Sequence, residues 1–287
     1  MAECFYVNHG SLVPAEDADY DGDPRGIVWM YEQPKPNGEY VIGVDPSVGI
    51  VGWNRFSRRD DDVKTDNAVV EVIKCGRGSE IPDVQVAEYA APIDPDELAE
   101  VANIIGRVFG GRNEDGQAKC IIEVYPNPGL LTHRRMVELG YLNMFNWTYL
   151  NGVVPVPKVG QLGWYSTPKT QQALWLRGSK HMTKKNFIPR SPWLVEEMAD
   201  VVLDMQKMRA RAYYGHHDDR LQATLMALWC ARQFSMEAES IPTDLRTDQR
   251  PPDPQRMPVT YAQMMEDFED SGFFDGSGEL EWPGHLQ

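Results

Sequence analysis

No stretch of the 287-residue chain approaches the roughly 18 consecutive apolar residues of a membrane-spanning helix. The opening MAECFYVNHG lacks the basic and apolar layout of a secretory signal. Cysteine is sparse: Cys4, Cys75, Cys120 and Cys230 stand far apart, with no C-x-x-C spacing for zinc or for a disulfide framework. Cations are short overall, 28 Lys and Arg against 43 Asp and Glu, a formal balance of −15. Taken as a mean, that balance argues against nucleic acid. The 42% of hydrophobic residues is enough for a buried core and excludes a wholly disordered chain. The expectation is a soluble, reduced, cytoplasmic protein.

Two further absences change the reading of charge. From Leu139 to Val195 there is no Asp or Glu, while Lys158, Lys169, Arg177, Lys180, Lys184, Lys185 and Arg190 all fall there. From Glu266 to Gln287 there is no Lys or Arg, but there are seven acids. The acid-free stretch therefore reads as a phosphate-binding surface rather than a merely solvated face.

Residues 1–38, rich in Gly, Pro and Asp, read as an irregular N-terminal arm. YVIGVD is a buried strand, Asn67–Lys74 a second and Val84–Ala90 a third. The segment RFSRRDDDVKTD between the first two reads as a polar loop, with Asp60, Asp61 and Asp62 solvated and Asp66 in an exposed turn. Asp94-Pro95-Asp96-Glu97 opens a helix to Phe109 with apolar residues at helical spacing. KCIIEV is a strand, Leu130–Leu139 a helix stopped by Gly140, and Leu142–Tyr149 another strand. Helices are expected near Thr170–Arg177, over Leu194–Met208 and over Leu221–Phe234, with a Lys-rich loop or hairpin after the first. The domain runs over 39–234, and 235–287 forms an acidic linker and C-terminal tail. This order makes a mixed α/β protein.

Carboxylates sit where elements end, which is where α/β sites are built. Asp45 closes YVIGVD, Glu123 closes KCIIEV, and Asp218 and Asp219 open the last helix. A helix-start Asp is also a cap, and a strand-end Asp is commonly a turn former. Together they match what hard divalent cations need, clustered oxygen ligands.

YVIGVDPSVG, IIEVYPNPGLLTHRRMVELGY, LGWYSTPKTQQALW and GHHDDRLQATLMAL together resemble the nuclease domain of the large terminase subunit of tailed phages, over roughly Gly26 to Phe234. The resemblance implies an RNase H-like mixed β-sheet flanked by α-helices. It implies endonucleolytic, divalent-metal-dependent cutting of concatemeric double-stranded DNA during packaging in the host cytoplasm. It assigns Asp45, Glu123 and Asp219 as catalytic carboxylates holding two Mg²⁺ or Mn²⁺ ions, with Asp218 the alternative to Asp219. His216 or His217 is placed beside them, as a contact to phosphate or to the metal ligands. The motor motif G-x-x-x-x-G-K-[ST] is missing. The resemblance therefore implies a motor on a separate chain or a missing domain, and ATP hydrolysis is not expected here.

Lys169 is the cation expected nearest a scissile phosphate. Trp164, Tyr165 and Trp175 read as packing residues more than as base-stacking platforms. Met198, Met205 and Met208 on one helix and Met226 on another read as core fillers, with Glu196 and Glu197 capping or solvating the first helix. Adjacent His216 and His217, with no nearby Cys or third His, do not suit zinc. The tail mixes Phe268, Phe273, Phe274, Leu280 and Trp282 with its acids. It reads as a docking peptide, for the portal vertex or the motor by resemblance, or as a cover over the basic stretch. Other readings stay open: a junction resolvase, an actin-like or sugar-kinase-like ATPase suggested by G-x-D-x-x-x-G at Gly43–Gly49, and a non-catalytic adaptor between motor and portal.

Overall fold

The computed structural model describes residues 2–8, 10–15, 26–47, 67–76, 80–113, 115–125, 128–145, 162–204, 209–212 and 218–238. In chain order the elements are β1 (Glu3–Asn8), β2 (Ser11–Pro14), β3 (Ile27–Met30), β4 (Tyr40–Asp45), β5 (Ala68–Lys74) and β6 (Asp83–Ala91). There follow α1 (Pro95–Val108), β7 (Lys119–Tyr125), α2 (Gly129–Glu138), β8 (Trp164–Tyr165) and α3 (Pro168–Thr183). The last are β9 (Phe187–Ile188), α4 (Pro192–Ala199), β10 (Val201–Asp204), β11 (Arg209–Ala212) and α5 (Asp219–Ala238).

The main sheet runs β2-β1-β3-β6-β5-β4-β7-β8, with β9 added beside β6. β4, β5 and β6 are antiparallel neighbours, whereas β7 joins β4, and β8 joins β7, in parallel. Parallel neighbours need a crossover, and α1 carries the chain from β6 back across the sheet so that β7 can lie beside β4. This is the mixed α/β sheet flanked by helices expected of an RNase H-like fold.

β4 lies inside the sheet, between β5 and β7, and all six of its residues are buried. Strand alternation then divides it between two cores. Tyr40, Ile42 and Val44 pack into the cluster built with α1 and α2, including Leu98, Ile105 and Met136. Val41 points the other way, with Ile73 and Ile121, into the cluster containing Leu225, Leu228 and Trp229 of α5. Gly43 on that second face is required by close approach, since a Cβ there would stand 2.1 Å from the carbonyl oxygen of Ala223. α5 thus lies directly on β4. Asp94 caps α1 as its sequence predicts, accepting from the N–H groups of Asp96 and Glu97 at 2.9 Å each.

Four expectations change. The N-terminal arm is not irregular throughout, because β1, β2 and β3 extend the sheet beyond β6. The strand expected at Leu142–Tyr149 reduces, in its described part, to a bridge between Met144 and Cys120. The amides of Leu142 and Asn143 are satisfied by the Gln117 side-chain oxygen, which takes the place of a neighbouring strand. The helix expected over Leu194–Met208 ends at Ala199, and Val201–Asp204 pairs antiparallel with Arg209–Ala212. Consecutive β-branched residues at Val201 and Val202 favour that hairpin over helix. The helix expected near Thr170–Arg177 runs on to Thr183, so Lys180 is helical and only Lys184 and Lys185 lie in the turn. The loop with Asp60–Asp62 and Asp66, along with Met205, Met208 and the tail 239–287, lies outside the described residues.

Candidate active site

The parallel register of β4 and β7 pairs Val44 with Ile122, so the next step sets Asp45 beside Glu123 at the carboxyl ends of both strands. Both side chains alternate onto the α5 face, following Val41 and Gly43 on one strand and Ile121 on the other. Adjacent strands lie about 4.8 Å apart, which makes these carboxylates lateral neighbours. Both residues are buried, at 8% and 4% exposure.

The third carboxylate comes from α5. Asp219 opens the helix, and its Oδ2 accepts from the Asn67 N–H at 3.3 Å. Asn67 leads into β5, whose Val69 pairs with Asp45, so Asp219 stands at the same end of the sheet. Asp218 directly precedes the helix and is half-buried. Among the described residues, no three His, Cys, Asp or Glu side chains close into a metal-holding group. The donor chemistry is carboxylate alone, which suits Mg²⁺ or Mn²⁺ rather than a soft metal. His216 and His217 lie outside the described residues.

Glu123 is held by a residue that sequence reasoning passed over. Ser166, just after β8, donates its hydroxyl to Glu123 Oε1. Gln171 Nε2 donates to the same Ser166 oxygen at 2.7 Å. The next residue, Thr167, caps α3 with a reciprocal capping box to Thr170, and Pro168 occupies the first turn. Segment LGWYSTPKT therefore brings the start of α3 against Glu123, with the Lys169 backbone in that first turn. The signal was present, since Thr167-Pro168 predicts the cap and Ser166 stands beside it.

The basic residues divide. Lys158 lies outside the described residues. Arg177 is half-buried over the Trp229 ring at 4.1 Å, and burial lowers its pKa. Lys180, Lys184, Lys185 and Arg190 are exposed. At 1.5 Å per residue, Lys184 stands about 25 Å along α3 from Thr167, so these lysines are distant from the carboxylate edge. Trp164 is fully buried and meets Trp229 edge-on at 5.2 Å, and Trp175 packs half-buried on the same cluster. Met198 packs half-buried there and Met226 is buried within it.

A buried polar cluster also lies on the α5 face. Glu71 and Glu88 stand opposite each other across β5 and β6. Gln85 donates to Glu71 at 2.8 Å, and Tyr31 donates to Glu88 at 2.8 Å. Arg220 reaches Glu88 at 3.6 Å and Glu197 at 3.1 Å. Glu197 also accepts the Leu221 N–H at 2.9 Å, so it caps the start of α5 rather than its own helix. Burial, then the neighbouring Glu88, pushes Glu71 well above the usual carboxylate range, which favours its protonated form. A Glu at an inward position of AVVEVIK was the sequence signal for this cluster. Compared with known proteins, the chain matches no family model and no curated protein.

Proposed function

We propose that this chain is a divalent-metal-dependent DNA endonuclease, the nuclease part of a viral packaging terminase. The observation that carries the reading is the lateral pairing of Asp45 and Glu123, with Asp219 of α5 pinned to the same sheet end. Asp45, Glu123 and Asp219, or Asp218 in place of the last, would hold two Mg²⁺ or Mn²⁺ ions, the helix-borne carboxylate closing on the strand pair. Bound there, such ions supply charge neutralisation for phosphodiester hydrolysis.

The chain's own residues have separate tasks. Ser166 and Gln171 fix the rotamer of Glu123, leaving fewer orientations for its second oxygen. The Glu197 cap and the Arg220 clamp fix where α5 starts, and so where Asp218 and Asp219 stand. Lys169, at the start of α3, would meet phosphate beside the carboxylates. Lys180, Lys184, Lys185 and Arg190 would contact the backbone of double-stranded DNA farther off, without reading bases. A packaging motor, on another chain or domain, and the portal are the proposed partners. No described helix is long and apolar enough to cross a membrane.

The test is cleavage of supercoiled plasmid with Mg²⁺, Mn²⁺ or EDTA by the native chain, Asp45→Asn and Glu123→Gln. Nicking and linearisation that require metal and vanish in both variants are expected. A folded native chain that cuts nothing under either metal overturns the isolated-nuclease reading and favours the adaptor.

A further inference from the structure

At the sheet end away from Asp45, the last two turns of α3 and the middle of α5 border a cleft of about 320 Å³. Its floor is apolar, made by Leu174, Leu225, Leu228 and Trp229, all buried in the protein. Its rim is cationic, with Arg177, Lys180 and Lys184. Among the described residues, the acid paired beside this rim is Asp83, which His181 Nε2 meets at 2.9 Å and whose other oxygen accepts the Gly76 N–H. Asp83 is thus consumed internally and does not cancel the rim. A nucleic-acid backbone would leave this leucine floor unused. An occupant that satisfies both parts carries acids and large apolar side chains together.

One such segment belongs to this chain. Between Glu266 and Trp282 there are seven acids, no Lys or Arg, and the apolar residues Phe268, Phe273, Phe274, Leu280 and Trp282. It is tethered to the cleft wall, because α5 carries Trp229 and continues to Ala238. Trp229 stands about 14 Å back from Ala238 along the helix. Ala238 and Glu266 are 28 residues apart in sequence, and a flexible chain of that length reaches a root-mean-square distance of about 30 Å. Return to the cleft is within reach, and tethering sets an effective concentration on the order of millimolar. We propose that the cleft between α3 and α5 is a docking site for the chain's own residues 266–282, aromatic side chains on the floor and carboxylates on the rim. A portal or motor contact made through the same segment would compete with the cleft. The docking does not depend on the nuclease reading.

The test is zero-length carbodiimide coupling of lysine amines to carboxylates in the dilute full-length protein, with linked peptides identified by mass. Monomeric links from Lys180 or Lys184 to carboxylates within residues 266–281 are expected. Phe273→Ser/Phe274→Ser/Trp282→Ser should lower their yield about tenfold or more, the loss expected from removing buried aromatic anchors. Absence of these links overturns the proposal. So do links confined to a covalent dimer, which would make a second copy the occupant, and links whose yield survives the serine substitutions, which would mean a non-specific charge encounter. In a parallel arm, a Lys180→Glu/Lys184→Glu protein of unchanged circular dichroism should move the links to other lysines. A weaker hold on duplex DNA in that variant, with no tail links in the native chain, assigns the cleft to nucleic acid instead.

Discussion

A methyl group at Gly43 tests how closely α5 is seated on β4. The added Cβ meets the Ala223 carbonyl oxygen at 2.1 Å, and both sides of that contact are backbone. Gly43→Ala is expected to cost about 3 kcal/mol, at the upper end of overpacking penalties, in urea unfolding. A variant as stable as the native chain would show that α5 does not press there. Ser166 makes a different kind of claim, because its hydroxyl reaches Glu123 rather than the core. If Glu123 is catalytic, Ser166→Ala should lower metal-dependent cleavage about 10- to 100-fold, as loss of a residue orienting a metal ligand does elsewhere. Its unfolding free energy in urea should stay within about 1 kcal/mol of native, the net worth of one hydrogen bond. Equal activity in that variant would remove Ser166 from the site.

Among the elements, α3 joins the two ends of the molecule, from Glu123 to the cationic cleft. Its stop is a Schellman arrangement, with Asn186 N–H on the His181 carbonyl and Lys185 N–H on that of Met182. Lys185 takes φ of +57°, a left-handed position where a side chain costs about 1 kcal/mol and glycine costs nothing. Lys185→Gly should therefore raise stability by about 1 kcal/mol while removing one exposed cation. A melting temperature that falls instead would mean the Lys185 side chain contributes more packing than its exposure suggests. α4 and α5 depend on each other in the same way. Ser191 caps the first through the Leu194 N–H, and Glu197 carries that helix onto the start of the second. The apolar pattern running from Leu194 through Met208 hid this break, because it continues across both the helix and the first hairpin strand.

For the whole molecule, two buried groups set opposite pH limits. His133 on α2 is buried, and desolvation lowers its pKa from 6.5 to about 4. The unfolded chain takes up that proton first, so stability falls as pH drops from 6.5 toward 4, by about 3 kcal/mol at 1.36 kcal/mol per pH unit. Glu71 keeps its proton in the native state well above 4.5, the value at which the unfolded chain releases it. Its contribution is intact at low pH and is lost as pH rises above 4.5 toward its raised native value. Above about pH 6.5 the His133 effect is exhausted, and buried carboxyls with raised pKa values, Glu71 and Glu197, make stability decline with rising pH. Between about pH 4.5 and 6.5 the two effects oppose and nearly cancel, so urea midpoints of the native chain should stay level there and decline above. Glu71→Gln should uncover the His133 slope, a midpoint rising from about pH 4 to 6.5, and lessen the decline above it. An alkaline limb identical in Glu71→Gln and the native chain would show that other groups set it.

The amino-acid sequence by itself determined the elements whose signals are local. The buried run of β4, the Asp94 cap of α1, the Thr167-Pro168 start of α3 and the apolar span of α5 all rest on residues a few positions apart. It also determined the candidates Asp45, Glu123 and Asp219, since ends of elements can be read from turn and cap residues. Tertiary structure alone decided which of them meet. The β4–β7 register makes Asp45 and Glu123 neighbours across 78 positions of chain, a pairing no local pattern encodes. The same holds for the strands hidden in the N-terminal arm, which persist because β3 finds an edge at β6. It holds as well for the lysines of α3, close in sequence to Ser166 yet set apart from the candidate carboxylates, because a helix carries its residues away at a fixed rise.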